Sequence, residues 1–94
     1  MIKKTLQEFR KEIDALDKGL VDLIAQRFEI IDQVAHYKDE HNIPAVIPER
    51  VDQVRDNAAN YAQSLGLNGE MIAKIWQMMI DEACRVEQDH FDKK

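Results

Sequence analysis

Cysteine, proline and glycine are scarce in this sequence of 94 residues, which contains one, two and three of them respectively. The single cysteine, Cys84, cannot form an internal disulfide, and no group of cysteines and histidines has the spacing of a zinc site. Few helix breakers together with 33 % charged residues are typical of an all-helical protein. The sequence predicts a single domain over residues 1–94 without a metal site.

Long apolar runs and an excess of positive charge are also missing. No apolar stretch approaches the length of a membrane span, and the two lysines near the N-terminus are not followed by the apolar region of a signal peptide. The net charge is −5 and the pI is about 5.1, which disfavours binding to nucleic acids or membrane surfaces. We therefore expect a cytoplasmic protein without nucleic-acid or membrane partners.

A heptad pattern over residues 5–41 is the longest regular feature of the sequence, and it predicts one very long helix. Thr5 and Glu8 have the spacing of a capping box, which marks the start of this helix. Pro44 requires the helix to end a few residues before it. The apolar members of the pattern, which we call the seam, are Leu6, Phe9, Ile13, Leu16, Leu20, Leu23, Ile30, Val34 and Tyr37.

Two shorter amphipathic helices follow a loop over residues 42–47. Pro48 suits the first position of the second helix, predicted over about residues 48–65, because its missing N–H costs nothing there. Gly66 suits the C-terminal cap of that helix. Asn68 can cap the third helix, predicted over about residues 68–90. The predicted fold class is therefore all-α, with three helices.

The length of the first helix predicts a dimer. About 36 residues of helix extend over roughly 54 Å, whereas a compact globule of this size has a radius of gyration of only about 12 Å. Two shorter helices cannot easily cover so long a rod, so an intertwined homodimer of three-helix chains is the economical arrangement. The alternative is a long parallel coiled coil, which an arginine in the seam and two further amphipathic helices argue against.

Arg27 lies at a seam position where the heptad pattern requires an apolar residue. Lys38 follows on the same face of the helix, about 16 Å further along the axis. In an antiparallel dimer, the partner subunit's Arg10 would lie between these two cations, and Arg50 and Glu87 could close the same pocket. Several cations in an apolar-walled pocket of an acidic protein predict a small dicarboxylate ligand.

One simpler interpretation of these polar residues remains open at this point. Arg27 could pair with a nearby acid such as Glu29 or Asp32, while Lys38 and Arg50 are solvated. Nucleophilic catalysis has little support, since neither the only serine nor the only cysteine has the partners of a catalytic triad.

Five segments of the sequence resemble the all-helical (AroQ-class) chorismate mutases. They cover nearly the whole chain in order, and they are Phe9–Asp17, Leu23–Arg27, Tyr37–Lys38, Pro48–Val51 and Ile75–Glu87. The resemblance implies an intertwined homodimer with two shared active sites. It also implies conversion of chorismate to prephenate in phenylalanine and tyrosine biosynthesis, by a 3,3-sigmatropic rearrangement that needs no cofactor, metal or covalent intermediate.

The resemblance further implies a role for each polar residue of the site. The partner subunit's Arg10 would bind one substrate carboxylate, and Arg27 would bind the other. Lys38 would donate a hydrogen bond to the ether oxygen as the C–O bond breaks, with Glu87 in its acid form as the second donor. Arg50 would add positive charge near the ring. The remaining substrate-binding positions implied are Ile47, Val51 and Ala83.

Two positions depart from the family's pattern and open an alternative function. Val51 replaces a glutamate that meets the ring hydroxyl in enteric-type enzymes, and Ile47 replaces an acidic loop residue, so recognition of the hydroxyl is open. Isochorismate–pyruvate lyases of salicylate synthesis also carry valine in this motif, although Glu87 stands where they have glutamine. A non-catalytic helical module that only dimerises is the third possibility.

Overall fold

The structure, a computed structural model, describes residues 3–93, and these residues form three α-helices and no strand. Helix α1 spans Leu6–Glu40, α2 spans Pro48–Ser64 and α3 spans Gly69–Asp92. The predicted all-α class, with one very long and two shorter helices, is confirmed. The main difference from the predicted bounds is that α3 continues to Asp92, so Phe91 lies within it.

The helix starts follow the local signals in the sequence. At the start of α1, the Glu8 amide donates to Thr5 Oγ1 over 3.2 Å, and the Thr5 amide donates to Glu8 Oε2 over 3.0 Å. These reciprocal bonds form the predicted capping box. Pro48 is the first residue of α2. At the start of α3, the Met71 amide donates to Asn68 Oδ1 over 3.1 Å, as predicted for a capping asparagine.

Helices α1 and α2 end in the same backbone motif. Asn42 has a φ of 56° after α1, and Gly66 has a φ of 80° after α2. In both cases the next residue donates its amide across the turn: Ile43 to the Lys38 carbonyl over 2.8 Å, and Leu67 to the Ala62 carbonyl over 2.9 Å. This is the Schellman arrangement, which satisfies carbonyls left free at a helix end. The chain therefore turns at Asn42, two residues before Pro44.

The chain divides into two compact units, the first ending at Ile30 and the second beginning at Ile31. In the first unit, every described residue except Arg27 and Phe28 is exposed. The exposed residues include the seam from Leu6 to Leu23, where the exposed fractions run from 48 % at Phe9 to 69 % at Leu16. The apolar face of this part of α1 is therefore open to solvent in the single chain.

In the second unit, α2 packs against α3 around a small core. Its buried residues are mostly alanines, together with one glycine, one isoleucine and one carboxylate. Small side chains let helices approach closely, so the larger Ile80 and the charged Glu87 are closely surrounded by other atoms. The buried residues are Ala35, Ala45, Ala62, Gly69, Ile80, Ala83 and Glu87. Within the described part of the chain, no helix combines the length and the apolar character needed to cross a membrane.

Candidate active site

Lys38, in the last turn of α1, and Glu87, in α3, form a buried ion pair. The distance between Lys38 Nζ and Glu87 Oε1 is 2.8 Å, and the exposed fractions of the two side chains are 16 % and 5 %. Removing two charges from water costs several kcal/mol per ion, and a well-packed apolar pair would often stabilise the fold as well or better. A buried pair in this position therefore indicates function more than stability.

The Lys38 ammonium has a second partner in the loop between α1 and α2. Its Nζ donates a hydrogen bond to the Ala45 carbonyl oxygen over 3.0 Å, and Ala45 is itself buried. The contact with Glu87 is close but does not have the direction of a hydrogen bond, so Oε1 is buried without a hydrogen-bond partner among the described residues. An ammonium has three N–H groups, and within residues 3–93 the Ala45 carbonyl is its one partner in a directed hydrogen bond. The pair therefore has donor and acceptor capacity left for a ligand.

One face of α3 carries the carboxylate into the core. Ile80, Ala83 and Glu87 are spaced as one helical stripe, and their exposed fractions are only 6 %, 5 % and 4 %. The structure thus brings the predicted positions Ala83 and Glu87 together on one buried face. Because the neighbours on this face are apolar, no other side chain of the stripe can solvate the carboxylate.

Cys84, the residue next to Ala83, lies within the electrostatic influence of the ion pair. Burial raises the pKa of the Cys84 thiol, and the negative charge of Glu87 raises this pKa further. The positive charge of Lys38 lowers it, and Asp81 raises it. The thiol therefore responds to the charges of both members of the pair.

A groove of about 330 Å³ lies between α2 and α3, beside this face. Its walls combine apolar side chains with two carboxylates and one amide. The lining residues are Val46, Pro48, Val51, Asp52, Gln77, Ile80, Asp81 and Cys84. Val51, where the sequence departs from the enteric-type pattern, thus opens onto a space that also contains acidic groups.

A polar network fixes one wall of the groove. Arg55 in α2 binds Asp52 over 3.0 Å and donates to Gln77 Oε1 in α3 over 2.9 Å. Gln77 in turn donates from Nε2 to Asp81 Oδ1 over 2.8 Å. Hydrogen bonds from Arg55 to Asp56 and Asp52 raise the pKa of the Arg55 guanidinium, which stays charged. Asp52 is thus paired with a cation, whereas Asp81 pairs with no cation among the described residues and is held by the Gln77 amide.

The other predicted substrate-binding residues of the second unit have less defined surroundings. Arg50 is exposed, and its Nη1 donates to Gln53 Oε1 over 2.6 Å. Ile47 and Val51 are half-buried, and the Val51 amide donates to the Ile47 carbonyl over 3.1 Å at the start of α2. These contacts place all three residues at the N-terminal end of α2, and their roles toward a substrate stay predictions.

Arg10 and Arg27 lie in the first unit and differ in their surroundings. Arg10 is exposed, whereas Arg27 is half-buried. Arg27 Nη1 is buried and has no hydrogen-bond partner among the described residues, and Arg27 forms no ion pair in that part of the chain. A buried guanidinium nitrogen without a partner is costly. The observation favours an anionic ligand over a structural ion pair, and both residues' substrate roles stay predictions.

The Ala45 carbonyl and the acid Asp81 were not identified by sequence analysis. A main-chain carbonyl has no residue-type signature, since every residue carries one. Asp81 is one of 18 acidic residues, and what distinguishes it is its place in the groove without a cationic partner among the described residues, whereas Asp52 in the same groove pairs with Arg55. His36 and His90, which are far apart in the sequence, also come together, with ring centroids 4.1 Å apart.

Comparisons with known proteins identify the family. The family described as chorismate mutase type II matches residues 9–88. A 4-amino-4-deoxychorismate mutase of Streptomyces venezuelae is 40 % identical over 82 residues, covering 87 % of this chain and 80 % of that protein. The enzyme of the same name from Streptomyces pristinaespiralis is 33 % identical, covering 89 % of this chain and 65 % of that protein.

A protein named chorismate mutase, from Methanocaldococcus jannaschii, is 29 % identical over 93 residues, covering 99 % of this chain and 93 % of that protein. The family match spans all three helices and includes Arg10, Arg27, Lys38 and Glu87. The chain therefore belongs to the type II chorismate mutase family and is an isomerase of that class.

Proposed function

We propose that this chain catalyses the 3,3-sigmatropic rearrangement of a chorismate-type enolpyruvyl ether, with 4-amino-4-deoxychorismate as its preferred substrate. Chorismate, giving prephenate for phenylalanine and tyrosine biosynthesis, is the second candidate. The observation that carries the proposal is the buried Lys38–Glu87 ion pair within a chain of this family. The isochorismate–pyruvate lyase and the non-catalytic module receive no support from the family match.

The reaction requires no proton or electron from the protein. The ether C–O bond breaks while a C–C bond forms between the side-chain methylene and the ring, so the enzyme holds the reactive conformer and stabilises the charge that develops. Lys38 is suited to donate a hydrogen bond to the ether oxygen because, among the described residues, its ammonium makes one directed hydrogen bond, to the Ala45 carbonyl. Glu87 can donate to the same oxygen only as the carboxylic acid.

The carboxylates of the substrate are assigned to the arginines. Arg27 carries a buried nitrogen with no hydrogen-bond partner in residues 3–93, which suits a carboxylate. The partner subunit's Arg10 would bind the second carboxylate, and Arg50 would lie near the ring. These three assignments follow the family's pattern.

The preference for the 4-amino substrate rests on two observations. Two relatives at 40 % and 33 % identity are named 4-amino-4-deoxychorismate mutases. In addition, the groove lined by Val51 contains the Asp81 carboxylate, which has no cationic partner among the described residues. An aliphatic amine is largely protonated at neutral pH, and an ammonium is attracted to a carboxylate where a neutral hydroxyl is not. Support for chorismate comes from the relative of Methanocaldococcus jannaschii, which is named chorismate mutase.

A direct assay separates the candidates. The purified chain is incubated with 4-amino-4-deoxychorismate, chorismate and isochorismate in turn, and products are identified by liquid chromatography with ultraviolet detection. We expect the 4-amino substrate to have the highest kcat/KM, by about tenfold. This is the effect expected of one favourable charge contact between the substrate ammonium and a carboxylate. Salicylate and pyruvate from isochorismate alone would identify a lyase, and absence of turnover with all three would refute the proposal.

The acid form of Glu87 is tested through the pH dependence of turnover. If Glu87 must donate, kcat falls as the pH rises and the carboxyl loses its proton. Glu87→Gln supplies a permanent donor, so it should flatten that fall and shift the optimum upward. A wild-type profile that is flat from mildly acidic to alkaline pH, and is unchanged by Glu87→Gln, would leave the ether oxygen to Lys38 alone.

We further propose that the active protein is a homodimer with shared sites. The exposed seam between Leu6 and Leu23 would be covered by a second copy of the chain. The test mixes and refolds Arg10→Ala and Lys38→Ala chains, each nearly inactive by itself. A heterodimer has one site with both defects and one with neither, so activity should return. Activity that stays flat over all mixing ratios would contradict shared sites.

A further inference from the structure

We infer that the main-chain carbonyl of Ala45 is a positioning group for the Lys38 ammonium, so that the loop over residues 41–47 sets the direction in which this catalytic amine donates. The inference rests on the proposed function, in which Lys38 meets the ether oxygen. It adds a group outside the helices that carry the side chains of the site.

Lys38 is bound to this loop twice. Its side-chain Nζ donates to the Ala45 carbonyl over 3.0 Å, and its own main-chain carbonyl accepts from the Ile43 amide over 2.8 Å. Both the main chain and the side chain of Lys38 are thus bound to the loop. The backbone bond fixes the point where the side chain begins, and the Nζ bond restricts a long and flexible side chain that would otherwise be mobile.

The loop is itself held at both ends. Asn42 turns the chain in the left-handed region with a φ of 56°. Ile47 is extended, with φ −121° and ψ 101°, and its carbonyl accepts the amides of Arg50 and Val51 at the start of α2. Between them, Ala45 is only 5 % exposed. The carbonyl therefore points from a fixed and buried backbone, as a precise binding group requires.

The two partners of the Lys38 ammonium, Glu87 and the Ala45 carbonyl, differ in whether they can gain or lose a proton. The attraction of Glu87 depends on its protonation state, and under the proposed mechanism Glu87 must be the neutral acid at the moment of reaction. The Ala45 carbonyl has no proton to gain or lose in this pH range. It therefore holds the ammonium in place when the ion pair is neutralised, and it leaves the remaining N–H groups for the substrate.

A single-atom backbone change tests this role. The Ala45–Val46 amide is replaced by an ester, through chemical synthesis and ligation with the hydroxy-acid analogue of valine. An ester carbonyl is a weaker acceptor, all side chains are kept, and the Val46 amide makes no backbone hydrogen bond among the described residues. A Leu67–Asn68 ester, in the loop between α2 and α3, is the matched control, since the Asn68 amide also makes none.

We expect the Ala45–Val46 ester to lower kcat about tenfold, as partial loss of a charge-assisted hydrogen bond does, with KM within about twofold of the unmodified chain. The control ester should leave both constants unchanged. The Lys38 Nζ protons, followed by nuclear magnetic resonance, should exchange faster with water in the Ala45–Val46 ester alone.

Each result decides the inference. An unchanged kcat with unchanged Nζ exchange overturns it. A fall in melting temperature beyond that of the control, with kcat falling only in proportion to the folded fraction, also overturns it by showing a purely structural role. If the unmodified chain turns over none of the substrates, the proposed function fails, and unchanged Nζ exchange then separately overturns the positioning of Lys38 by Ala45.

Discussion

The two units of the chain use the same kind of helix in opposite ways. Before Ile30, α1 exposes its apolar seam, with Leu16 69 % and Leu20 57 % exposed. After Ile31, the same helix contributes Ala35, which is 1 % exposed, to a packed unit with α2 and α3. Apart from Arg27, the heptad pattern runs through both parts, so the pattern specifies an apolar face without specifying what covers it.

The two units also differ in the functional residues that they carry. The first unit carries apolar surface that a second copy of the chain would cover, together with Arg10 and the partly buried Arg27. The second unit carries the Lys38–Glu87 pair, the Ala45 carbonyl and the groove lined by Val51. The proposed enzyme thus has its assembly surface mainly in the first unit and its hydrogen-bond donors to the ether oxygen in the second.

The largest expected effect comes from separating the Lys38–Glu87 pair. Lys38→Met should lower kcat/KM on the order of 10³-fold, because a preorganised donor is lost. It should also destabilise the fold by about 3 kcal/mol, because Glu87 is left as a buried unpaired charge. Adding Glu87→Leu should restore the stability but not the activity. Denaturant unfolding and steady-state kinetics measure the two quantities.

An exposed ion pair within α3, the helix that carries Glu87, serves as the control for that experiment. Arg85 contacts Glu82 over 2.6 Å, and both side chains are about half exposed. Arg85→Met should leave kcat/KM and the unfolding midpoint nearly unchanged, since exposed pairs contribute little. If Arg85→Met and Lys38→Met behaved alike, the buried pair would have no special role.

The second prediction tests the exposed seam of the first unit. Leu16→Glu places a charge at the proposed interface, so it should dissociate the dimer and lower kcat/KM on the order of 10²-fold. Lys18→Glu introduces the same residue outside the seam and should remain dimeric. Analytical ultracentrifugation gives the oligomeric state, and a Leu16→Glu protein that stays dimeric and active would show that this face is not the interface.

The third prediction concerns Arg27, whose buried nitrogen has no partner among the described residues. Arg27→Leu fills the seam position with the residue that a plain heptad would have. The melting temperature should stay the same or rise, while kcat/KM falls roughly 30-fold through loss of a charged hydrogen bond. A large fall in melting temperature with activity intact would show that Arg27 is a structural ion-pair partner.

The fourth prediction concerns the groove between α2 and α3. Asp81→Asn keeps the shape of the side chain and removes its charge, so the preference for the 4-amino substrate over chorismate should fall about fivefold, as a partly screened charge contact allows. Asp14→Asn, on an exposed part of α1 outside the seam, is the matched control. An equal loss with both substrates would assign Asp81 a structural role.

The smallest expected effect uses Cys84 as a probe of charge in the second unit. Removing the negative charge with Glu87→Gln should lower the raised pKa of the Cys84 thiol, which increases the thiolate fraction at a fixed, mildly alkaline pH. Alkylation by iodoacetamide should then be a few-fold faster than in the wild type. Glu82 is not among the groups that shift the pKa of the Cys84 thiol, so Glu82→Gln should leave the alkylation rate unchanged.

Much of the fold was predictable from residues close together in the chain. Thr5 with Glu8, Asn68 with Met71, and Pro48 at the first position of α2 each act within one helical turn. The turn at Gly66 likewise depends on one residue's access to positive φ. Such signals depend on local geometry, so the sequence alone was sufficient for three helices and for their ends to within two residues.

The burial of the seam residues could not be predicted from their spacing in the sequence. This spacing determined that α1 has an apolar face, but the seam residues up to Ile30 are exposed, whereas Val34 is half-buried and Tyr37 is 57 % exposed. Burial is a property of everything that surrounds a side chain, and a pattern along one helix contains no information about the surroundings.

The candidate site divides in the same way. The sequence by itself determined which residue types are available, including an arginine in the seam and a glutamate on an apolar stripe. Only the tertiary structure brought Glu87 within 2.8 Å of Lys38, directed the Lys38 ammonium to the Ala45 carbonyl and placed Asp81 in a groove with Val51. These contacts join α1, the following loop, α2 and α3, and they exist only because the packing of the helices fixes the distances between residues that are remote in the chain.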